Sequence, residues 1–362
     1  MKEIREAFAF EGELISQRSY GSGHINDTFL LVYKIGTMGI LKVILQKLNK
    51  GIFKNPVRVI ENIDRVTTYL RESIKREQGD VYRETLTLIP TKDGKPYYLD
   101  SKGEYWRAYI FITDATSYDQ VENPKDFYNS ALAFGNFQRQ LSNFPAKTLY
   151  ETIPDFHNTK VRFHTFLQAV NEDPMGRAKN VEREIEFVKS RREDAFYLQN
   201  LVEKGEIPLR VTHNDTKLNN IMIDNKTHKG ICVIDLDTVM PGLAINDFGD
   251  SIRFGANHGA EDERNLDEVY LEETLYDIYT KGFLEGVNGA LTKKEIELLP
   301  LGAKAMTLEC GIRFLTDYLN GDTYFKIHRP EHNLDRAKCQ FKLLFDMEGK
   351  MDMMCSIVEK YS

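Results

Sequence analysis

The stretch 211–237, VTHNDTKLNNIMIDNKTHKGICVIDLD, restricts the fold of this chain more than any other. Two short apolar runs, 220–224 and 231–235, flank the turn-rich segment 225–230, which is the pattern of a β-hairpin. With all six turn residues in the loop, Asp224 faces Ile231 and Asn220 faces Asp235. Opposed residues in an antiparallel pair hold their Cβ atoms about 4.5–5.5 Å apart. An amide oxygen and a carboxylate at that spacing can share one Mg²⁺, a hard cation that takes oxygen ligands. Asp215 stands one loop upstream, free of the strand, where its carboxylate could accept a hydroxyl proton.

Phosphoryl transfer needs this set: a carboxylate to orient the attacking hydroxyl, and an Asn and an Asp to hold metal against phosphates. Lys217, two residues after Asp215, would place a positive charge near the transferring phosphoryl group. The string Asp215-x-Lys217-x-x-Asn220 follows His213-Asn214-Asp215, where protein kinases carry H-R-D. Asp and Asn are also ordinary turn residues, so a lone H-x-D would indicate only a buried hairpin. The full string, closed by Asp235 after Ile-Cys-Val-Ile, favours the chemical reading. Asp247-Phe248-Gly249 imitates the kinase D-F-G triplet but lies 32 residues after Asp215 and lacks the apolar strand that precedes Asp235. Metal binding is therefore assigned to Asp235, and Asp247 is expected to N-cap the following helix.

Composition excludes several classes. A net charge of −7 argues against a nucleic-acid partner. No apolar run is long enough to span a membrane, and the start, MKEIREAF, lacks a signal core. Cys232, Cys310, Cys339 and Cys355 are scattered without metal-ligand spacing, which suits a reducing cytosol and a cytoplasmic protein.

In chain order, residues 1–18 read as a short amphipathic helix and a lead-in. Gly21 and Gly23 then form a Gly-x-Gly turn before an apolar strand, which can bring backbone close to nucleotide phosphates. Residues 40–45 form the next strand, where a kinase places its phosphate-binding lysine. Lys42 enters that strand and Gln46 leaves it, and spacing does not decide between them. A helix from Pro56 through Leu70 carries Glu61, the first acid available to pair with a strand lysine. Strands at 86–90, 97–100 and 105–112 complete a small lobe over 1–112, with adenine expected at the backbone near Phe111 and Ile112; an edge strand with a buried Trp106 fits those residues equally. The remainder, 113–362, reads as mainly helical: an aromatic-striped helix at 125–141, a Phe-rich segment at 154–170 whose His157 and His164 read as packing, one long charged helix at 181–204, and helices at 305–319 and 335–360. Glu309, Arg313 and Asp317, at i, i+4 spacing, read as an exposed ion-pair ladder.

Several strings resemble the aminoglycoside phosphotransferase/choline kinase-like superfamily and, more closely, the bacterial N-acetylhexosamine 1-kinases. They are YGSGHIN at 20–26, VTHNDTKLNNI at 211–221, IDLDT at 234–238, DFGDSIRFG at 247–255 and PEHNL at 330–334. The resemblance implies an α+β, bilobal protein-kinase-like fold, with a small β-rich N-lobe and a larger mainly helical C-lobe. It implies transfer from ATP, with Mg²⁺, to the anomeric hydroxyl of N-acetylglucosamine or N-acetylgalactosamine, in amino-sugar salvage. Asp215 would face that hydroxyl, Asn220 and Asp235 would hold Mg²⁺, and His24, Asn214, Arg313 and Tyr324 would contact the sugar. Gln46 departs from the wider superfamily, where many members carry a basic residue, and matches the 1-kinase group. The alternative is a kinase of the same superfamily for choline, an aminoglycoside or another sugar. A monomer is expected, with small-molecule sugar and ATP as its partners.

Overall fold

The computed structural model describes residues 1–21, 25–118, 121 and 123–362. The chain divides into two compact units. The first comprises 1–117, 143–154 and 220–241; the second comprises 118–142, 155–219 and 242–362.

The first unit is built on a five-stranded antiparallel sheet. After helix α1 (Lys2–Ala7) come β1 (Glu13–Ser19), β2 (Asp27–Ile35), β3 (Gly39–Lys47), β4 (Tyr98–Leu99) and β5 (Tyr105–Ile110), in the order β1-β2-β3-β5-β4. Residues 13–19 are thus a strand rather than a lead-in, edge-paired with β2. Segment 86–90 contributes only the bridge Leu88↔Tyr109 rather than a full strand. The period-two alternation of the strands sends Leu31, Tyr33, Val43, Leu45, Trp106 and Ala108 into one core with Phe8. The other face therefore carries a polar row, because Gln46 is registered opposite Thr28 on β2 and Arg107 on β5. Helix α2 (Pro56–Arg76) begins where Asn55 accepts the Arg58 N–H and Pro56 occupies the first turn. It buries Val59, Ile63, Val66 and Leu70 and runs six residues past Leu70.

The hairpin belongs to this unit as a separate three-stranded sheet of β6 (Ala115–Thr116), β7 (Ile221–Asp224) and β8 (Gly230–Val233). Its register is one residue tighter than the turn count suggested. Ile221 pairs with Val233 and Met222 with Cys232, then a bulge shifts the ladder to Ile223↔Gly230. Asp224 causes the shift. Its carboxylate accepts the N–H groups of Lys226 and Thr227 and the Thr227 hydroxyl, which tightens the turn. The Asp224 N–H consequently reaches Lys229 rather than Ile231, and Asn220 lies opposite Ile234 rather than Asp235.

The second unit is helical: α3 (Pro124–Gln140), α4 (Thr159–Glu172), α5 (Glu182–Lys189), α6 (Arg192–Glu203), α7 (Ala244–Gly255), α8 (Glu273–Val287), α9 (Lys293–Glu297), α10 (Leu299–Leu319), α11 (His332–Gly349) and α12 (Met351–Tyr361). The segment 181–204 is two helices, not one; Ser190 and Arg191 turn their side chains back onto the Phe187 carbonyl at the break. The final segment is likewise split, at Gly349–Met351. Helices α4, α5, α6, α10 and α11 enclose one core around Phe163, Phe166, Ile312, Leu315 and Leu344. Gly249 on α7 lies against the Gly302 backbone of α10 so closely that a Cβ on either glycine would overlap the other helix's backbone. The glycine of the Asp-Phe-Gly string thus serves helix packing. No helix among the described residues is long and apolar enough to cross a membrane.

Candidate active site

In the second unit, the short strand Arg210–Thr212 leads into the loop His213-Asn214-Asp215-Thr216-Lys217. Asn214 adopts φ +64°, a left-handed conformation that Asn tolerates better than most residues. The N-terminal half of α7 holds this loop. The Asp247 carboxylate accepts the backbone N–H groups of His213 (2.9 Å) and Asn214 (2.8 Å) and the Gln138 amide (2.8 Å). Asp247 therefore sits inside α7, whose N-cap is Leu243, and it braces the loop rather than capping the helix. Burial pushes its carboxyl pKa up, against the pull of His213 and the two N–H groups. Thr216 bonds to Asp250 through its N–H and to the Asp247 carbonyl through its hydroxyl, while Ser251 donates to the Thr216 carbonyl.

Asp215 emerges from this scaffold partly exposed, with Lys217 Nζ 2.8 Å from its Oδ1. Burial lowers the Lys217 pKa, but Asp215 and Asp250 outweigh it, and the ammonium is held charged. Burial likewise raises the Asp250 pKa, and Arg253 and Lys217 outweigh it, so Asp250 stays ionised. Asn214 is buried, with its amide turned onto Thr212, whose hydroxyl donates to its Oδ1 at 2.9 Å.

The same unit carries Arg313 and Tyr324, two more of the residues assigned to the acceptor. Arg313, on α10, lies over the rings of Phe156, Phe325 and Tyr324 at 5.3, 5.4 and 5.9 Å. Tyr324 is 65% exposed, and its backbone is fixed from below. Buried Asp317 accepts the N–H groups of Thr323, Tyr324 and Phe325 and an Asn333 amide hydrogen. Glu309 is buried too and bonds to His157 and Thr159. The exposed ladder read from spacing is therefore absent: burial sends Glu309, Arg313 and Asp317 to three different sets of partners. His157 is no packing residue either. It spans from Glu309 Oε1 (2.8 Å) to the Asn214 carbonyl (3.0 Å).

In the first unit, Asn220 immediately precedes β7, and Asp235 follows Ile234 at the end of β8. The Ile234 N–H donates to the Asn220 carbonyl at 2.9 Å, so both residues leave the same end of the hairpin. Asp235 is exposed and left-handed, with φ +57°. Among the described residues no three His, Cys, Asp or Glu side chains group as a metal centre. An Asn amide oxygen and an Asp carboxylate nevertheless suit Mg²⁺, which is commonly held by one or two carboxylates together with substrate phosphates.

On the sheet, Gly21 has φ +80°, while Gly23 and His24 lie outside the described residues. Lys42 is exposed, with its ammonium over the Phe111 ring at 5.6 Å. No ion pair joins Lys42 to Glu61 among the described residues. The Phe111 N–H is used on the Lys42 carbonyl, and Ile112 is buried. Gln46 accepts two hydrogen bonds from Arg107, which also pairs with Asp237. Sequence reading missed Arg107, Asp237, Asp247 as a brace and His157 as a clamp. For Arg107 a signal existed: period-two alternation along 105–110 puts it on the Gln46 side of the sheet.

The model of the phosphotransferase enzyme family matches residues 17–281. Among solved structures, an aminoglycoside phosphotransferase from Alicyclobacillus acidocaldarius is similar, with TM-score 0.63 and 11% identity, covering 99% of this chain and 96% of that one. A microcompartment-associated aminopropanol kinase follows with TM-score 0.58 and 14% identity, covering 94% and 93%. An amicoumacin kinase in complex with AMP-PNP and Ca²⁺ has TM-score 0.55 and 10% identity, covering 94% and 91%. These likenesses establish the α+β protein-kinase-like fold.

Proposed function

We propose that this chain, which belongs to the phosphotransferase enzyme family, transfers the γ-phosphoryl group of ATP to the anomeric hydroxyl of an N-acetylhexosamine, giving the α-1-phosphate. The carrying observation is the brace on the 213–217 loop, which presents the Asp215 carboxylate beside Lys217 from an otherwise buried turn. Asp215 accepts the proton of the attacking hydroxyl as its oxygen bonds to phosphorus and ADP leaves. Lys217, held charged, stabilises negative charge on the transferring group. Asn220 and Asp235 would hold Mg²⁺, which supplies positive charge against the phosphates when bound. The AMP-PNP and Ca²⁺ complex of the similar amicoumacin kinase supports a nucleotide with a divalent ion.

The sugar assignment rests on the motif strings and on Arg313. A guanidinium over three rings, beside an exposed Tyr324, offers donors for sugar oxygens and an aromatic surface for a ring face. ADP release measured over N-acetylglucosamine, N-acetylgalactosamine, simple hexoses, choline and aminoglycosides tests the reading. Turnover of an N-acetylhexosamine is expected to exceed all others. Turnover only of choline or an aminoglycoside moves the chain to another acceptor within the family, and the sugar reading then fails.

A further inference from the structure

Where a kinase strand carries its phosphate-binding lysine, β3 carries Gln46, an uncharged side chain. The structure shows what surrounds it. Gln46 is the centre of a cross-strand row, with Thr28 on one side and Arg107 on the other. Arg107 Nε and Nη2 both donate to Gln46 Oε1, at 3.0 and 2.9 Å. A guanidinium has donors only, so the amide oxygen must face it and the NH₂ group must face away. Gln46 Nε2 spends one hydrogen on Thr28 Oγ1 at 3.1 Å, and the other has no acceptor among the described residues.

Arg107 is 1% exposed. Its third nitrogen, Nη1, pairs with Asp237, which is buried and also accepts from Asn26 at 2.6 Å. Asp235 adds its charge to the same guanidinium, and the Tyr109 ring lies 5.2 Å from it. With all three nitrogens engaged in the interior, Arg107 itself does not reach a ligand. Its positive charge and the orientation of Gln46 are nonetheless fixed at the place where a phosphate-facing cation is needed.

We propose that Arg107 replaces the strand lysine from the neighbouring strand, as a positioning residue that pins Gln46 as an N–H donor to the nucleotide's phosphates and neutralises Asp237 next to the metal ligand Asp235. The inference rests on the phosphotransferase reading. It explains a departure from the usual lysine without loss of charge: the cation moves one strand over, and a neutral amide transmits it. A lysine at 46 beside Arg107 would instead place two like charges in direct cross-strand contact.

The test is nucleotide binding to the full chain by calorimetry, in EDTA and without acceptor, using ATP and adenosine. Gln46→Glu keeps the size and gives the guanidinium fork a carboxylate, so it is expected to fold. It replaces the phosphate-facing donor with an acceptor. ATP affinity is expected to fall at least about tenfold while adenosine affinity stays within about twofold. Arg107→Lys keeps a charge but cannot hold Gln46 and Asp237 at once. It is expected to weaken ATP, not adenosine, by a similar factor. Unchanged ATP affinity in either variant, or equal losses for ATP and adenosine, overturns the inference. Absence of ATP binding by the parent chain both in EDTA and with Mg²⁺ overturns the phosphotransferase reading itself, and this inference with it.

Discussion

Substituting His157 by Gln tests whether a buried charge sets the catalytic loop. His157 bonds at Nδ1 to a carboxylate and at Nε2 to a backbone carbonyl. Both partners only accept, so both ring nitrogens must carry protons and the ring is an imidazolium. The electrostatics agree. Burial lowers the His157 pKa, but Glu309, the Asn214 carbonyl and Asp250 together raise it above its ordinary 6.5. Burial raises the Glu309 pKa, but His157, Arg313 and Arg162 together lower it below its ordinary 4.5. Asp247 also feels the His157 charge. The sign follows from linkage. The His157 contribution is fully present below pH 6.5 and is lost as pH rises through the higher folded value. The Glu309 contribution is present above pH 4.5 and is lost as pH falls through the lower folded value. The pair therefore stabilises most between those two pH values.

In His157→Gln, one amide NH₂ can serve Glu309 or the Asn214 carbonyl at full strength, not both. The loss is one charge-assisted hydrogen bond, about 2 kcal/mol. In a domain of this size that lowers Tm by roughly 4–8 °C. The whole pair is not lost, because Thr159 still donates to Glu309 Oε2 at 2.9 Å. Differential scanning calorimetry from pH 5 to pH 9 should show the gap between parent and variant narrowing as pH rises past 6.5. The kcat should fall more than the KM for ATP, since the released carbonyl belongs to the loop that carries Asp215. A gap constant across that range, or a neutral His157 ring in nitrogen NMR at pH 6, would refute the imidazolium clamp.

Asp215→Asn should cut kcat by about 10²–10⁴-fold while ATP affinity persists; turnover near that of the parent would remove Asp215 from the role given to it. Asp317→Ala frees three backbone N–H groups of the 323–325 loop. The KM for the proposed N-acetylhexosamine acceptor should rise about tenfold or more, with the KM for ATP unchanged. Equal changes in both would mean that the Asp317 network serves general stability.

Local pattern made β2, β3, β5, the hairpin and most helices readable, but not the edge strand β1. Their apolar periods are strong, and the turn at 225–230 is rich in turn formers. The exact hairpin register was not readable, because it depends on the Asp224 carboxylate capping two N–H groups rather than on residue count. The proposed chemical residues Asp215, Lys217, Asn220 and Asp235 could be singled out because they lie close together in sequence. Their supports were not. Arg107 finds Asp237 at a separation of 130 residues, and His157 finds Glu309 at 152. Spacing along one helix even misled: Glu309, Arg313 and Asp317 look like mutual partners until burial assigns each elsewhere.

Backbone conformation separates support from chemistry in a way side-chain inventories do not. Several non-glycine residues have positive φ, among them Asp173 and Asn288, which end α4 and α8 as left-handed caps. Asn214 and Asp235 have the same conformation without ending an α-helix. Such a residue costs of order 1–3 kcal/mol and persists only where its surroundings over-determine it. At Asn214 those surroundings are the Asp247 carboxylate on its N–H, the His157 ring on its carbonyl and Thr212 on its side chain. A turn that only reversed the chain would not need polar partners from two distant segments, Asp247 and His157, in addition to its neighbour Thr212. That density of bracing, directly before Asp215, is why the loop is better understood as a device for aiming a carboxylate than as a connection between two segments.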